Sequence, residues 1–163
     1  INSVNKNVYV KIPITNTKRH YSTTIIKELW SKRVKMNITA IFTEKQAKRV
    51  INSLDPKISN KIVISVFAGR IADTGRDPKI IMSKIREYIN KNVNKKKIEL
   101  LWASPREIYN IYEAEKLGVD IITVPYAFFE KLKLKNKNLE SFSIETVKMF
   151  YNDAVASKYT IKN

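Results

Sequence analysis

Lys11 sits inside a β-branched run, Val8-Tyr9-Val10-Lys11-Ile12-Pro13-Ile14. Side chains alternate across a strand, so Tyr9, Lys11 and Pro13 share one face while Val8, Val10, Ile12 and Ile14 share the other. Neighbouring elements are expected to bury both faces, and a lysine there is costly unless it is paired or neutral. A desolvated amine is a nucleophile whose natural partner is a ketone. Their imine, once cationic, accepts the electrons of carbon–carbon cleavage. Polar residues recur at matching places along the chain: Asn37 and Thr39 in the run 36–42, Ser65 in 62–67, and Ser104 at the end of 98–103. Arg70 follows the third run, and Arg106 stands beside Ser104 where a helix is expected to open; an arginine at a helix N-terminus is a cradle for phosphate. The same residues admit a plainer reading, with Lys11 snorkelling to a strand end and the arginines in surface ion pairs.

The elements that must position these groups alternate. Strand patterns at 8–14, 36–42, 62–67, 98–103 and 121–124 are separated by amphipathic stretches. Ile25, Ile26, Leu29 and Trp30 mark a helix over 23–35. Thr43 with Gln46 three residues on forms a capping box for the next. A loop containing Gly69 and Gly75 precedes Pro78, which suits the first turn of a helix. Gly118 ends the helix opened at 104–107, 125–132 forms a short one, and 144–157 a last, broadly apolar one. Strict βα alternation predicts a parallel sheet with right-handed crossovers, either open and doubly wound or a (β/α)₈ barrel. No Gly-x-Gly-x-x-Gly or Walker loop follows a strand, which weakens the nucleotide-binding versions. In a barrel, inward faces would gather Lys11, Asn37, Thr39, Ser65 and Ser104 at the C-terminal mouth.

Composition narrows the chemistry. The 163 residues suffice for one domain, expected over 1–163. Without cysteine there is no thiolate catalysis or disulfide, and a single histidine, His20, leaves no multi-histidine metal site. No apolar run reaches membrane-spanning length. The 31 basic and 15 acidic residues give a net charge of +16, which favours anionic partners. The lysines are scattered, though, and the one block, Lys95-Lys96-Lys97, falls in a loop. The charge is therefore read as a solvated surface attractive to phosphates, with no nucleic acid and no membrane expected as partner.

Four segments resemble the transaldolase family. Val8-Tyr9-Val10-Lys11-Ile12-Pro13-Ile14-Thr15 resembles its Schiff-base strand, and Asn37-Ile38-Thr39-Ala40-Ile41-Phe42-Thr43-Glu44-Lys45-Gln46-Ala47 the strand after it. Ile64-Ser65-Val66-Phe67-Ala68-Gly69-Arg70-Ile71 is similar to the family's Ser-x-Phe-x-Gly-Arg segment, and Ala103-Ser104-Pro105-Arg106 to its Ala-Ser-x-Arg. The resemblance implies a (β/α)₈ barrel in which this chain supplies strands four to eight. It makes Lys11 the residue that forms the imine, with Thr39 helping to place a proton-shuttling water. Asn37, Ser65, Phe67, Arg70, Ser104 and Arg106 would bind substrate, the arginines holding phosphate. The reaction implied moves a dihydroxyacetone unit from sedoheptulose 7-phosphate or fructose 6-phosphate to an aldose phosphate, in the cytoplasm and the pentose phosphate pathway. It needs no metal or organic cofactor, and the family suggests a homo-oligomer.

Phe67 bears on the alternative. Fructose-6-phosphate aldolases place a tyrosine there to release free dihydroxyacetone; phenylalanine cannot donate that proton, which favours the transferase. The family's acid–base pair, an Asp on the first strand and a Glu on the third, has no counterpart here. Five βα units cannot close a barrel, so roughly three more are expected upstream, and the chain alone is expected to lack activity. Asp73, Asp77 and Asp120 are assigned to caps and turns, and His20 to solvent. A third reading is an inactive basic half-barrel that binds nucleic acid or a partner.

Overall fold

The computed structural model describes residues 7–158. They fall into two compact units, one running up to Pro125 and one from Tyr126 on. The first holds five parallel strands: β1 Val10–Pro13, β2 Met36–Ile41, β3 Ile62–Val66, β4 Ile98–Trp102 and β5 Ile121–Ile122. Their order in the sheet is the order in the chain, with no reversal. A doubly wound sheet reverses direction at its switch point; this one does not.

Between the strands run α1 Thr23–Ser31, α2 Glu44–Ile51, α3 Ala68–Ala72, α4 Pro78–Lys91 and α5 Tyr109–Lys116. One sheet face packs on these helices: Ile12, Ile38, Ile64, Leu100 and Trp102 join Ile26, Trp30, Val50, Ile51, Met82, Ile85 and Ile89 in one core. Helices confined to one face and a monotonic strand order are what part of a barrel wall looks like. Trp30 and Trp102 are core residues. Trp30 Nε1 donates to the Asp55 carbonyl at 3.0 Å, satisfying the polar end of a large buried ring. The other face carries a small cluster, Val63, Leu101 and Ala103, with Tyr9, Phe67 and Ile121 packed against it.

Local chemistry sets the element ends. Thr43 Oγ1 accepts from Gln46 N at 3.2 Å while Gln46 Oε1 accepts from Thr43 N at 3.0 Å, the reciprocal capping box expected for α2. Thr43→Ala should therefore lower stability by about 1 kcal/mol in urea unfolding. Pro78 opens α4, and Asp77 caps it through Lys79 N at 2.9 Å. Gly118 takes φ 63° just beyond α5, the left-handed conformation that glycine adopts freely.

Four expectations are corrected. Helix α1 stops at Ser31 rather than 35, with Arg33 at φ 56°. The segment 68–72, read as loop, is the short helix α3. Helix α5 begins at Tyr109, so Arg106 stands in the loop ahead of it and not at its first turn. In β2 strict alternation would set Ile41 with Asn37 and Thr39, yet Ile41 is in the helix-side core. The cause is a bulge: Ile38 pairs Ile64 and Ile41 pairs Val66, so Thr39 and Ala40 together oppose Ser65. Ala40 takes φ 59° to accommodate the extra residue.

The second unit comprises α6 Ala127–Leu132 and α7 Leu139–Ser157. Asn138 caps α7 through Ser141 N at 3.0 Å, starting it five residues before the apolar pattern did. No α7 side chain is buried, and Val147, Met149, Phe150 and Tyr151 are exposed. No described helix is long and apolar enough to cross a membrane.

Candidate active site

Lys11 lies on β1 directly opposite Asn37 of β2, in a row that continues through Val63 to Glu99. Alternation puts this row on the face away from the helices, together with Thr39 and Ser65. The amine expected to be buried is exposed. The reason is the sheet itself: β1 is an edge strand with β2 as its one partner, and its outer face has no layer packed on it among the described residues. The four residues do share a face, and that face differs chemically from the all-apolar one behind it.

Two of them carry an unusual burden. Asn37 Oδ1 and Thr39 Oγ1 are enclosed, and neither has a hydrogen-bond partner. A buried polar atom left unpaired costs on the order of 1–3 kcal/mol, so such atoms point to a binding function or to stored strain. The β2 bulge adjoins them, and bulges beside sites re-aim side chains. Ser65 is buried on the next strand and stands against Thr39 and Ala40.

The other candidates gather at the C-terminal ends of β3 and β4. The Phe67 ring packs against Phe42 at 5.8 Å between centroids, and the Arg70 guanidinium lies 5.2 Å from its centroid. Strict alternation along β4 would set Ser104 with Leu100 and Trp102, and those two are in the helix-side core. Ser104 instead takes φ 58° beyond the strand end, and its N–H points to Thr123 Oγ1 at 3.3 Å. The β3 and β4 ends are pressed together at Gly69, whose N–H donates to the Ala103 carbonyl at 3.2 Å. A Cβ on Gly69 would sit 1.5 Å from the Ser104 carbonyl oxygen.

Arg106 is engaged by a residue that sequence reasoning set aside. Its Nε donates to Asp73 Oδ1 at 2.8 Å and its Nη2 to Asp73 Oδ2, a two-pronged pair across the β3 and β4 loops. The signal for it was weak, an Asp three residues after Arg70 in what read as a turn. Hydrogen bonding from Arg106 holds the Asp73 carboxyl below its ordinary range, and the same bond raises Arg106. A depressed carboxylate pKa means the pair is intact above the ordinary carboxylate range and is lost only as pH falls through the lowered value. In a carboxylate NMR titration Asp73 should titrate below the ordinary value of an aspartate, and Arg106→Ala should move it back up. Asp120 also exceeds its assignment as a turn residue: it accepts from Leu100 N at 2.7 Å and from Arg86, tying β4 to α4. Glu99, in the Lys11 row, escaped notice because it falls early in a strand otherwise judged by its apolar residues. His20 is exposed, as assigned.

A family model described as Transaldolase/Fructose-6-phosphate aldolase matches residues 1–161. The chain belongs to that family. Relatives of this family member include a "Probable transaldolase" from Nitrosopumilus maritimus, 34% identical over 139 residues, covering 83% of this chain and 58% of that protein. A "Probable transaldolase" from Methanococcus maripaludis is 30% identical over 140 residues, covering 86% and 59%. A "Probable transaldolase 2" from Listeria monocytogenes is 31% identical over 139 residues, covering 83% and 58%. The chain thus spans under three fifths of the length of these relatives.

Proposed function

We propose that the whole protein is a transaldolase working through an imine on Lys11. In this reading it closes a (β/α)₈ barrel in which β1–β5 are strands four to eight, and residues 1–163 belong to that one domain. Lys11 Nζ attacks the C2 ketone of a ketose phosphate, and loss of water leaves an iminium. The C3–C4 bond then breaks, its electrons flow into the iminium, and the O4 proton leaves to a base as the aldose phosphate departs. The retained enamine attacks the aldehyde of an acceptor aldose phosphate, forming a new C3–C4 bond, and water releases the product ketose and the free lysine.

Asn37 and Thr39 hydrogen-bond the bound three-carbon unit, Thr39 placing the water that shuttles protons. Ser65 and Ser104 contact substrate hydroxyls, and Arg70 and Arg106 hold the phosphate. The observation that carries this reading is the row pairing Lys11 with Asn37, beside two enclosed polar atoms that lack partners, in a member of this family. Phe67 lacks a hydroxyl to protonate the enamine, which favours transfer over release of free dihydroxyacetone. The exposed apolar side chains of α7 are consistent with a subunit contact in a homo-oligomer. The metabolic role proposed is the pentose phosphate pathway, in the cytoplasm.

Borohydride reduction in the presence of fructose 6-phosphate tests the mechanism, using the protein as encoded. A reduced three-carbon adduct is expected on the peptide bearing Lys11. Absence of an adduct, or one that persists in Lys11→Ala, overturns the proposal. Free dihydroxyacetone formed without an acceptor would make the protein an aldolase instead.

A further inference from the structure

The chain repeats one small pattern that the proposed reaction leaves unused. Lys35-Met36, Lys61-Ile62 and Lys97-Ile98 each set a lysine directly before a strand. Met36, Ile62 and Ile98 are register partners, so the three lysines arrive side by side at one end of the sheet, on strands about 4.8 Å apart. With Lys96, Ser59 and Asn60 they line a hollow of about 460 Å³. It lies at the N-terminal ends of β2–β4, the opposite end of the sheet from Arg70, Ser104 and Arg106.

This hollow is held in shape. Lys97 Nζ donates to the carbonyls of Pro56 at 2.7 Å and Ile58 at 2.9 Å, fixing the loop that carries Ser59 and Asn60. Asn60 Nδ2 donates to the Val34 carbonyl at 2.9 Å, and Lys35 Nζ stands 5.7 Å from the Tyr9 ring centroid. Glu99 stands 3.6 Å from Lys61 Nζ; the lining itself has four lysines and no carboxylate. Cations gathered in a concavity repel one another and focus a positive potential there. A bound anion relieves that repulsion, and a lining that carries four ammonium groups matches an anion of several charges.

We propose that this hollow binds a polyphosphate group, two or three linked phosphates. Lys35, Lys61 and Lys96 supply ammonium groups to the phosphate oxygens, while Ser59 and Asn60 contribute hydrogen bonds. Lys97 organises the site by anchoring its loop. The volume falls in the range of small-ligand pockets, roughly 300–1,000 Å³, whereas a nucleic-acid duplex would lie across a surface instead of inside it.

Calorimetric titration of the protein as encoded with sodium tripolyphosphate, at near-physiological salt, decides the matter. One saturable site is expected, weakened at least tenfold in a K61Q/K96Q double variant. A charge-matched K27Q/K45Q variant, altered in the other basic hollow beside α1 and α2, should bind within twofold of the unaltered protein. Both substitutions replace exposed lysines, and circular dichroism verifies that each variant is folded. Equal loss in the two variants would reduce the effect to net charge and overturn the site. So would the absence of saturable binding, or a short DNA duplex that binds more tightly than tripolyphosphate and is equally weakened by K61Q/K96Q.

Discussion

Replacing Lys11 by methionine is expected to lower ketose-phosphate turnover of the whole protein by at least ~10³-fold, about 4 kcal/mol of barrier, while the unfolding free energy of the chain 1–163 by itself shifts by no more than about 0.5 kcal/mol. The two halves of this result have separate origins. Methionine keeps most of the length of the side chain and removes the amine proposed to form the imine. Stability is indifferent because Lys11 is exposed on an edge strand and the β1 residues in the core are Ile12 and, just beyond the strand, Ile14. Steady-state kinetics beside urea unfolding read both quantities. A variant that retained wild-type turnover would refute the role given to Lys11. One that unfolded would mean that Lys11 supports the fold in a way its exposure does not suggest.

Gly69→Ala should be the most damaging single methyl group in the first unit. Backbone meets backbone here: the added carbon would lie 1.5 Å from the Ser104 oxygen and 2.6 Å from its carbonyl carbon. Neither atom belongs to a side chain that could swing away. Relief requires β3 and β4 to separate at their C-terminal ends, breaking the Gly69 N–H bond to Ala103 and displacing Ser104 and Arg106. A loss of at least about 3 kcal/mol is expected, at the upper end for overpacking because no rotamer can absorb the contact. Thermal unfolding measures it. If the variant folds, its KM for a phosphorylated sugar should rise through the displaced Arg106. A variant of unchanged stability would show that the two strand ends are not pressed together as described.

Much of this architecture is readable in the residues. The β-branched runs located all five strands because parallel strands covered by helices are almost continuously apolar. Thr43 with Gln46, and Pro78, marked helix starts because each satisfies or lacks a particular backbone N–H. What escaped was structure that leaves little local trace. Helix α3 is five residues long with a glycine at its second position, so its composition matches a loop. The β2 bulge is carried by Ala40, which does not advertise a left-handed conformation as glycine would. The start of α7 rests on the Asn138 cap, a local hydrogen bond that the apolar pattern from 144 onward does not carry. For the site, alternation placed Lys11, Asn37, Thr39 and Ser65 on one face correctly, because the period of two holds up to the bulge. Burial of Lys11 could not be read the same way, since it depends on what covers the face and not on the strand. The Asp73–Arg106 pair joins residues 33 apart in the chain, a distance at which sequence patterns say nothing.

Ala40 is the one residue of β2 that the hydrogen-bond ladder does not require. Were it deleted, Ile41 would follow Thr39 directly, still opposite Val66 and still turned toward the helices. The left-handed backbone of a non-glycine residue costs roughly 1–2 kcal/mol, so the longer strand is the less comfortable one. What the extra residue alters is the local twist beneath the threonine hydroxyl, and with it the direction in which that oxygen is offered. Here chain length, more than residue identity, does the aiming.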